Sequence, residues 1–413
     1  MITTSITPAC TPSTDRSPPA AGLADGRAAV ASDASPEALR VLQGTIAVVG
    51  AGGLVGSRLL RMVQHSKCRG IGVVRSARSL ARLSDLEVRL ANTSQVSSLA
   101  EALSGCDTVV NAVNGDVSRV LEETRIIHNA TRAAGCRLLI HLSSAVVYGR
   151  VSSPNLDDDS PPDTANWMLY ARGKAASEIY LRRQMEARSD LRLVVLRPGL
   201  VWGPFSHWSG MVGEQFSQGG ACLSNGGRGM ANLVYVDNLV RMILAVQSRP
   251  TGPSGFYNVA DPQRVSWLEY YRRLGQFLGY GEEQIKAWPD ARLPLQPKLV
   301  LEWCLQRQSL YRLSRWLLPR LGLGVKAKAK KLIRGDPQPP GGLCPGLPPG
   351  PPRLTREHWA LQNLHHCLPA EKFGRDYGPV TLVSLEESLA ATASWLSYAG
   401  FSRAGISDQS NLW

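Results

Sequence analysis

The run Thr45-Ile-Ala-Val-Val-Gly-Ala-Gly-Gly-Leu-Val-Gly56 sets the terms for the rest of the chain. Apolar residues Ile46 to Val49 lead directly into Gly50, Gly53 and Gly56, and Leu59, Leu60 and Val63 follow at helical spacing. This pattern predicts a strand, a tight turn and a helix reaching to about Gln64. Glycines there let the backbone turn sharply and come close to a pyrophosphate, whose charge meets free N–H groups and the positive end of the helix. Three glycines at this spacing also occur in loops that merely join a strand to a helix, so the neighbouring segments must decide.

Outward from the turn, strand and helix alternate. Gly70 to Val74 is a second apolar strand, ending at Arg75, Ser76 and Arg78. An acid at this strand end would accept hydrogen bonds from the ribose of NAD, whereas an arginine suits a 2′-phosphate, so Arg75 tilts the expectation to NADP over NAD. Solvated loop charges are the competing reading of Arg75 and Arg78. Strands near Leu86 to Leu90, Asp107 to Val113 and Arg137 to Ser144 follow, separated by helices around Val96 to Leu103 and Ser118 to Ala134. Their spacing is that of βαβ units.

The last of these strands ends in Ser143 and Ser144, and Tyr170-Ala-Arg-Gly-Lys174 then opens a helix to about Met185. Tyr170 and Lys174, four residues apart, share a helix face. At that spacing an ammonium is expected to lower the phenol pKa and make it a usable acid or base. A serine at a strand end can hold a carbonyl oxygen in place.

Together these residues resemble the extended short-chain dehydrogenase/reductases, also called the NAD-dependent epimerase/dehydratase family. The matching pieces are Gly50-x-x-Gly53-x-x-Gly56, Ser144-Ala-Val-Val-Tyr-Gly149, Tyr170-x-x-x-Lys174, Leu196-Arg-Pro-Gly-Leu-Val-Trp-Gly-Pro204 and Asn232-Leu-Val-Tyr-Val-Asp237. The resemblance covers roughly 44–280, and Ser384 to Trp395 looks like the family's closing helix, with Ser384 and Glu387 forming a capping-box pattern. It implies an α/β fold: a Rossmann-type doubly wound parallel sheet with a smaller, mainly C-terminal substrate-binding region. It also implies a catalytic set of Ser144, Tyr170 and Lys174, with Ser143 as substitute for Ser144. Gly50, Gly53, Leu54, Val55, Gly56, Arg75, Asn92, Ala112, Tyr170, Lys174, Arg197 and Pro198 are then the expected cofactor-binding residues. The family often has an Asp where Asn92 stands. Arg197-Pro198-Gly199 replaces the Asn-rich segment of its sugar-nucleotide members, which favours steroid-like or small-ketone substrates.

The region 205–232 is rich in Gly and Trp, and in the family it shapes the substrate pocket, making His207, Trp208 and Arg228 candidate contacts. Asp237 is expected to cap a helix from Asn238 to Gln247, followed by a strand at Phe256 to Ala260. Between Lys298 and Arg334 stand ten basic residues and one acid, so this segment carries +9 of the net +13. Apolar residues interleave with its arginines. Two readings follow: a basic amphipathic helix lying on an anionic membrane or a protein partner, or a lid over the substrate pocket.

The expected organisation is a disordered Ser/Thr/Pro/Ala-rich leader (1–43), a cofactor-binding domain (44–204), a mixed substrate region partly returning to the core (205–334), a Pro/Gly-rich linker (335–353) and a helical end (354–413). With 413 residues and 44% hydrophobic content the chain can bury a full core. The absence of a secretory signal pattern, of CxxC pairs among eight cysteines and of a long apolar run points to a reduced, cytoplasmic protein that does not cross a membrane, though it can attach peripherally. A small-molecule substrate is expected, and a homodimer is compatible with the pattern. No nucleic-acid partner is expected, and none for a metal, since the adjacent His365, His366 and Cys367 lack a second ligand pair. The enzyme readings are a reductase or dehydrogenase, or a nucleotide-sugar epimerase or dehydratase with tightly held NAD. A non-catalytic NADP-sensing scaffold is the third.

Overall fold

A computed structural model describes residues 43–149, 156–187, 190–287, 304, 307–317 and 356–403. All belong to one compact unit, 34–413. The expected leader and Pro/Gly linker, and most of the basic segment, lie outside the described residues.

Seven parallel strands form the main sheet: β1 (Thr45–Val49), β2 (Arg69–Val74), β3 (Val88–Leu90), β4 (Thr108–Asn111), β5 (Leu138–Leu142), β6 (Arg192–Pro198) and β10 (Gly255–Val259). Their order is β10-β6-β5-β4-β1-β2-β3. Because successive side chains on a strand point to opposite faces, each strand feeds two cores. Ile46, Val48, Ile140 and Val194 pack on one face with α1 (Leu54–Val63) and α7 (Val236–Gln247). Ala47, Val49, Leu139 and Val195 pack on the other with α3 (Val96–Ala102), α4 (Val120–Ala133) and α5 (Leu169–Glu186). This is the doubly wound α/β sheet expected. The strand order reverses between β1 and β4, the place where such sheets open a crevice.

A separate core serves the remainder. β7 (Leu200–Trp202) pairs with β9 (Leu233–Tyr235), and β8 (Ala221–Leu223) with β11 (Ile285–Ala287). Around them pack α6 (His207–Ser217), α8 (Trp267–Phe277) and α12 (Leu385–Tyr398). Trp202, Trp267, Tyr270, Tyr271 and Phe216 are all fully buried here. Aromatic side chains of this kind bury about 150–250 Å² each, so they dominate the energetics of this half. The capping box on α12 is formed as expected, Ser384 Oγ accepting from Glu387 N and the Glu387 carboxylate from Ser384 N.

Asp237 departs from expectation. α7 begins at Val236, with Tyr235 at the N-cap, and Asp237 instead forms a two-pronged ion pair with Arg58 on α1. A short acid one position inside the helix reaches across to the neighbouring helix rather than back to its own backbone. α2 (Ala77–Arg82) is capped by Ser76, whose Oγ accepts from Ser79 N. Among the described residues, α9 (Gln308–Leu317) is the helical part of the basic segment, and no helix is long and apolar enough to cross a membrane.

Candidate active site

The C-terminal ends of β1, β2, β4, β5 and β6 open onto one cavity of about 1020 Å³. At its floor, Gly50 adopts φ +91°, and a Cβ there would stand 2.8 Å from the Ala112 carbonyl at the end of β4. Only glycine fits a backbone both left-handed and pressed against its neighbour. Gly53 N donates to Gly50 O at 3.0 Å, closing the turn, and no side chain caps the N-terminus of α1. The helix therefore presents its first N–H groups to the cavity, a cradle suited to a pyrophosphate.

Gly50, Gly53, Leu54, Val55, Arg75, Ala112, Ser144, Tyr170, Lys174, Pro198, His207 and Trp208 all line this cavity. Gly56, Asn92, Arg197 and Arg228 do not. Gly56 serves the turn itself, since a Cβ there would meet Gly50 O at 2.5 Å. Asn92 is exposed and its Oδ1 accepts from Ser94 N in a local turn. Arg197 is fully buried behind the site. Its guanidinium pairs with Glu178 at 2.7 Å and donates to Tyr148 Oη and Asp158 O. Arg228 is exposed beside the 3₁₀ turn Ser224–Gly227.

Ser144 stands two residues past the end of β5 and caps the 3₁₀ turn Ala145–Tyr148, its Oγ accepting from Val146 N at 3.4 Å. It lines the cavity together with Tyr170. Ser143, the substitute considered from sequence, donates its hydroxyl to Glu178. Lys174 is 3% exposed, its Nζ donating to Leu142 O at 2.6 Å and lying 5.8 Å from the centre of the Tyr170 ring.

These contacts reverse one expectation. Burial pushes the Tyr170 phenol up to about 12, the Glu357 charge adding to the rise and Ser144 partly offsetting it. The ammonium sits over the ring rather than at the hydroxyl, and it is Lys174 that shifts down. Burial takes its ammonium to about 8, with Glu178 and Glu123 holding it up.

The opposite half of the cavity is lined by Trp167, Phe205, Trp208, Met211, Met230 and Leu364, with Arg356, Glu357 and His366 beside them. Part of this wall comes from the segment between α10 (Arg356–Gln362) and α11 (Glu371–Tyr377), which sequence motifs did not flag. It is tied to the Gly-rich region: Met230 N donates to Leu364 O, Asn232 Nδ2 to His366 O, and Ser224 N to Gln362 Oε1. Glu123 also lines the cavity unforeseen. One signal for it was present: on the expected helix 118–134 it shares the apolar stripe of Val120, Ile127 and Ala130, where an acid is out of place.

The family model for the NAD dependent epimerase/dehydratase family matches residues 46–260, just over half of the chain. The chain belongs to this family. A 3-diazoavenalumate denitrifying reductase from a Streptomyces species is 30% identical over 197 residues, which span 45% of this chain and 59% of that relative. A dTDP-glucose 4,6-dehydratase from Bacillus anthracis, solved in complex with NAD, has a TM-score of 0.60 at 13% identity, over 86% of this chain and 97% of its own. The UDP-glucose 4-epimerase of Thermotoga maritima, solved with UDP-glucose, gives 0.59 at 16% identity, over 86% and 99%. At such identities the two structures speak for the family's fold alone.

Proposed function

We propose that this protein is an NAD(P)-dependent oxidoreductase acting at a C–OH or C=O centre of a small, largely apolar substrate. The observation that carries the reading is that Ser144, Tyr170 and Lys174 share one cavity with the glycine turn. In this reading Gly50, Gly53, Leu54, Val55, Arg75 and Ala112 hold the dinucleotide, and Lys174 holds its nicotinamide ribose. When bound, the nicotinamide supplies or takes up a hydride. Tyr170 gives its proton to the reacting oxygen on reduction and takes it back on oxidation, while Ser144 donates a hydrogen bond to that oxygen. A phenol kept neutral by burial is in the protonation state that carbonyl reduction requires. The predominance of aromatic and aliphatic side chains in the wall, with Arg356 and Glu357 beside them, supports a largely apolar substrate over a sugar nucleotide, and the 30% identical reductase supports net reduction. Arg75 at the cavity, with no acid from Arg75 to Arg78, supports NADP over NAD.

Titration of the purified protein with NADPH and NADH, followed by turnover of candidate ketones, tests the reading. Tyr170→Phe is expected to lower turnover about 100-fold or more while cofactor binding persists. Undiminished turnover would remove Tyr170 from the acid/base role. NAD that co-purifies and does not exchange would instead fit an epimerase or dehydratase.

We also propose that 298–334 attaches peripherally to an anionic membrane surface. On α9, Leu310, Leu313 and Trp316 are exposed by 42%, 49% and 56%, within the segment that carries +9. Flotation with phosphatidylserine liposomes should be lost on deleting 298–334, and equal flotation would sink this attachment.

A further inference from the structure

We propose that Glu123 is a further cofactor-binding residue, its carboxylate accepting a hydrogen bond from a ribose hydroxyl of the dinucleotide. The inference rests on the dinucleotide reading above. Glu123 stands on α4 within the stripe that packs against the sheet and α5, and it is 8% exposed while lining the cavity. Among the described residues its carboxylate accepts no hydrogen bond and makes no salt bridge. Its oxygens are open to the ligand cavity and take no hydrogen bond from the described residues, so a donor that arrives with the ligand would complete them. Burial accordingly pushes its carboxyl pKa upward.

Its surroundings narrow the chemistry. A Cβ on Gly115 would stand 3.5 and 3.6 Å from the two carboxylate oxygens, which therefore lie against the loop between β4 and α4. The charged groups around it are Arg119 and Asp116 on that loop, Arg75 at the end of β2 and Lys174 on α5. Two of these cations are engaged elsewhere: Arg119 binds Glu122, and Lys174 donates to Leu142 O. An ionised carboxylate only accepts hydrogen bonds, and it repels phosphate. A ribose diol offers it two donors, and the charges that reach it include Arg75 and Lys174, the two groups assigned above to the two ribose ends.

The test measures NADPH and NADH affinity of the full chain by fluorescence titration, beside Glu123→Gln and Glu123→Ala, with thermal melts to confirm folding. A charge-assisted hydrogen bond is worth about 1.5–3 kcal/mol, so both variants should bind the preferred cofactor about 10- to 100-fold more weakly. In the unaltered protein, affinity should rise with pH as the carboxylate, held above its ordinary range by burial, ionises, below the range in which Lys174 loses its proton. Unchanged or tighter binding in the variants, or affinity that falls with pH, would overturn the proposal. Failure of the unaltered protein to bind either cofactor would overturn the dinucleotide reading and this inference with it.

Discussion

At one end of the cavity the wall is mostly backbone, at the other mostly side chains. The nucleotide end is made by Gly50, Gly53 and the first turn of α1, contiguous in sequence and fixed by a left-handed glycine and a 3.0 Å turn hydrogen bond. The substrate end is made by Phe205, Trp208, Met230 and Leu364, drawn from segments far apart in the chain and held over a core of buried aromatics. Backbone geometry tolerates almost no substitution at a few positions, whereas a packed wall spreads its dependence over many. The first kind of site announces itself in sequence, and the second does not.

The largest expected effect lies in the packed half. Trp267 is 1% exposed, donates Nε1–H to Leu361 O at 3.2 Å and packs against Tyr270 and His358. Trp267→Ala should cost about 3–5 kcal/mol in urea unfolding, while the folded fraction still binds NADPH with near-normal affinity. A matching loss of cofactor affinity would show that the two ends are not built independently.

An intermediate effect belongs to the glycine turn. Gly56→Ala places a methyl 2.5 Å from Gly50 O and 2.9 Å from the Ala51 Cα, both backbone atoms with little room to yield. Stability should fall by about 1–3 kcal/mol, and cofactor affinity, read by titration, should fall by more than that loss accounts for. Normal affinity in this variant would break the contrast between the two ends.

The smallest effect is on stability just below neutral pH. His358 is fully buried beside Tyr271 and Gln362, and burial, aided by the His207 charge, pushes its imidazole down to about 3. The unfolded chain takes up this proton near pH 6.5 and the folded chain does not. Stability is thus fully present above about pH 6.5 and falls as the pH drops toward 3, by somewhat under 1 kcal/mol at pH 6. Chemical unfolding at stepped pH should show this slope, and His358→Gln should flatten it. A slope unchanged by that substitution would assign acid sensitivity elsewhere.

Much of the sheet was legible because its signals are local. Val48 and Val49 before Gly50, and Tyr170 four residues before Lys174, carry their meaning within one strand or one helical turn. Arg197 was misread for the opposite reason. The motif that contains it borders the site, and nothing nearby in sequence discloses that Glu178 and Tyr148 take its guanidinium behind the sheet. Arg228 failed likewise, since exposure is set by the whole fold. The ionisation of Tyr170 was inverted because spacing gives the side a group occupies but not the dielectric around it. Arg356, Glu357 and Leu364 were invisible because their contribution depends on a return to the cavity across a long intervening stretch.

The edge strand β10 carries a consequence for how the molecule comes into being. Gly255 to Val259 hydrogen-bonds alongside Val194 to Pro198, yet it is synthesised after the whole of β7 to β9. α7, whose Asp237 grips Arg58 on α1, is also made after them. A nascent chain that has reached residue 204 holds six of the seven strands but leaves β6 as a bare edge, and one face of the sheet without its second helix. Such a fragment is expected to expose apolar surface if excised, and during translation that face waits for about forty further residues, until Gln247, before it is covered.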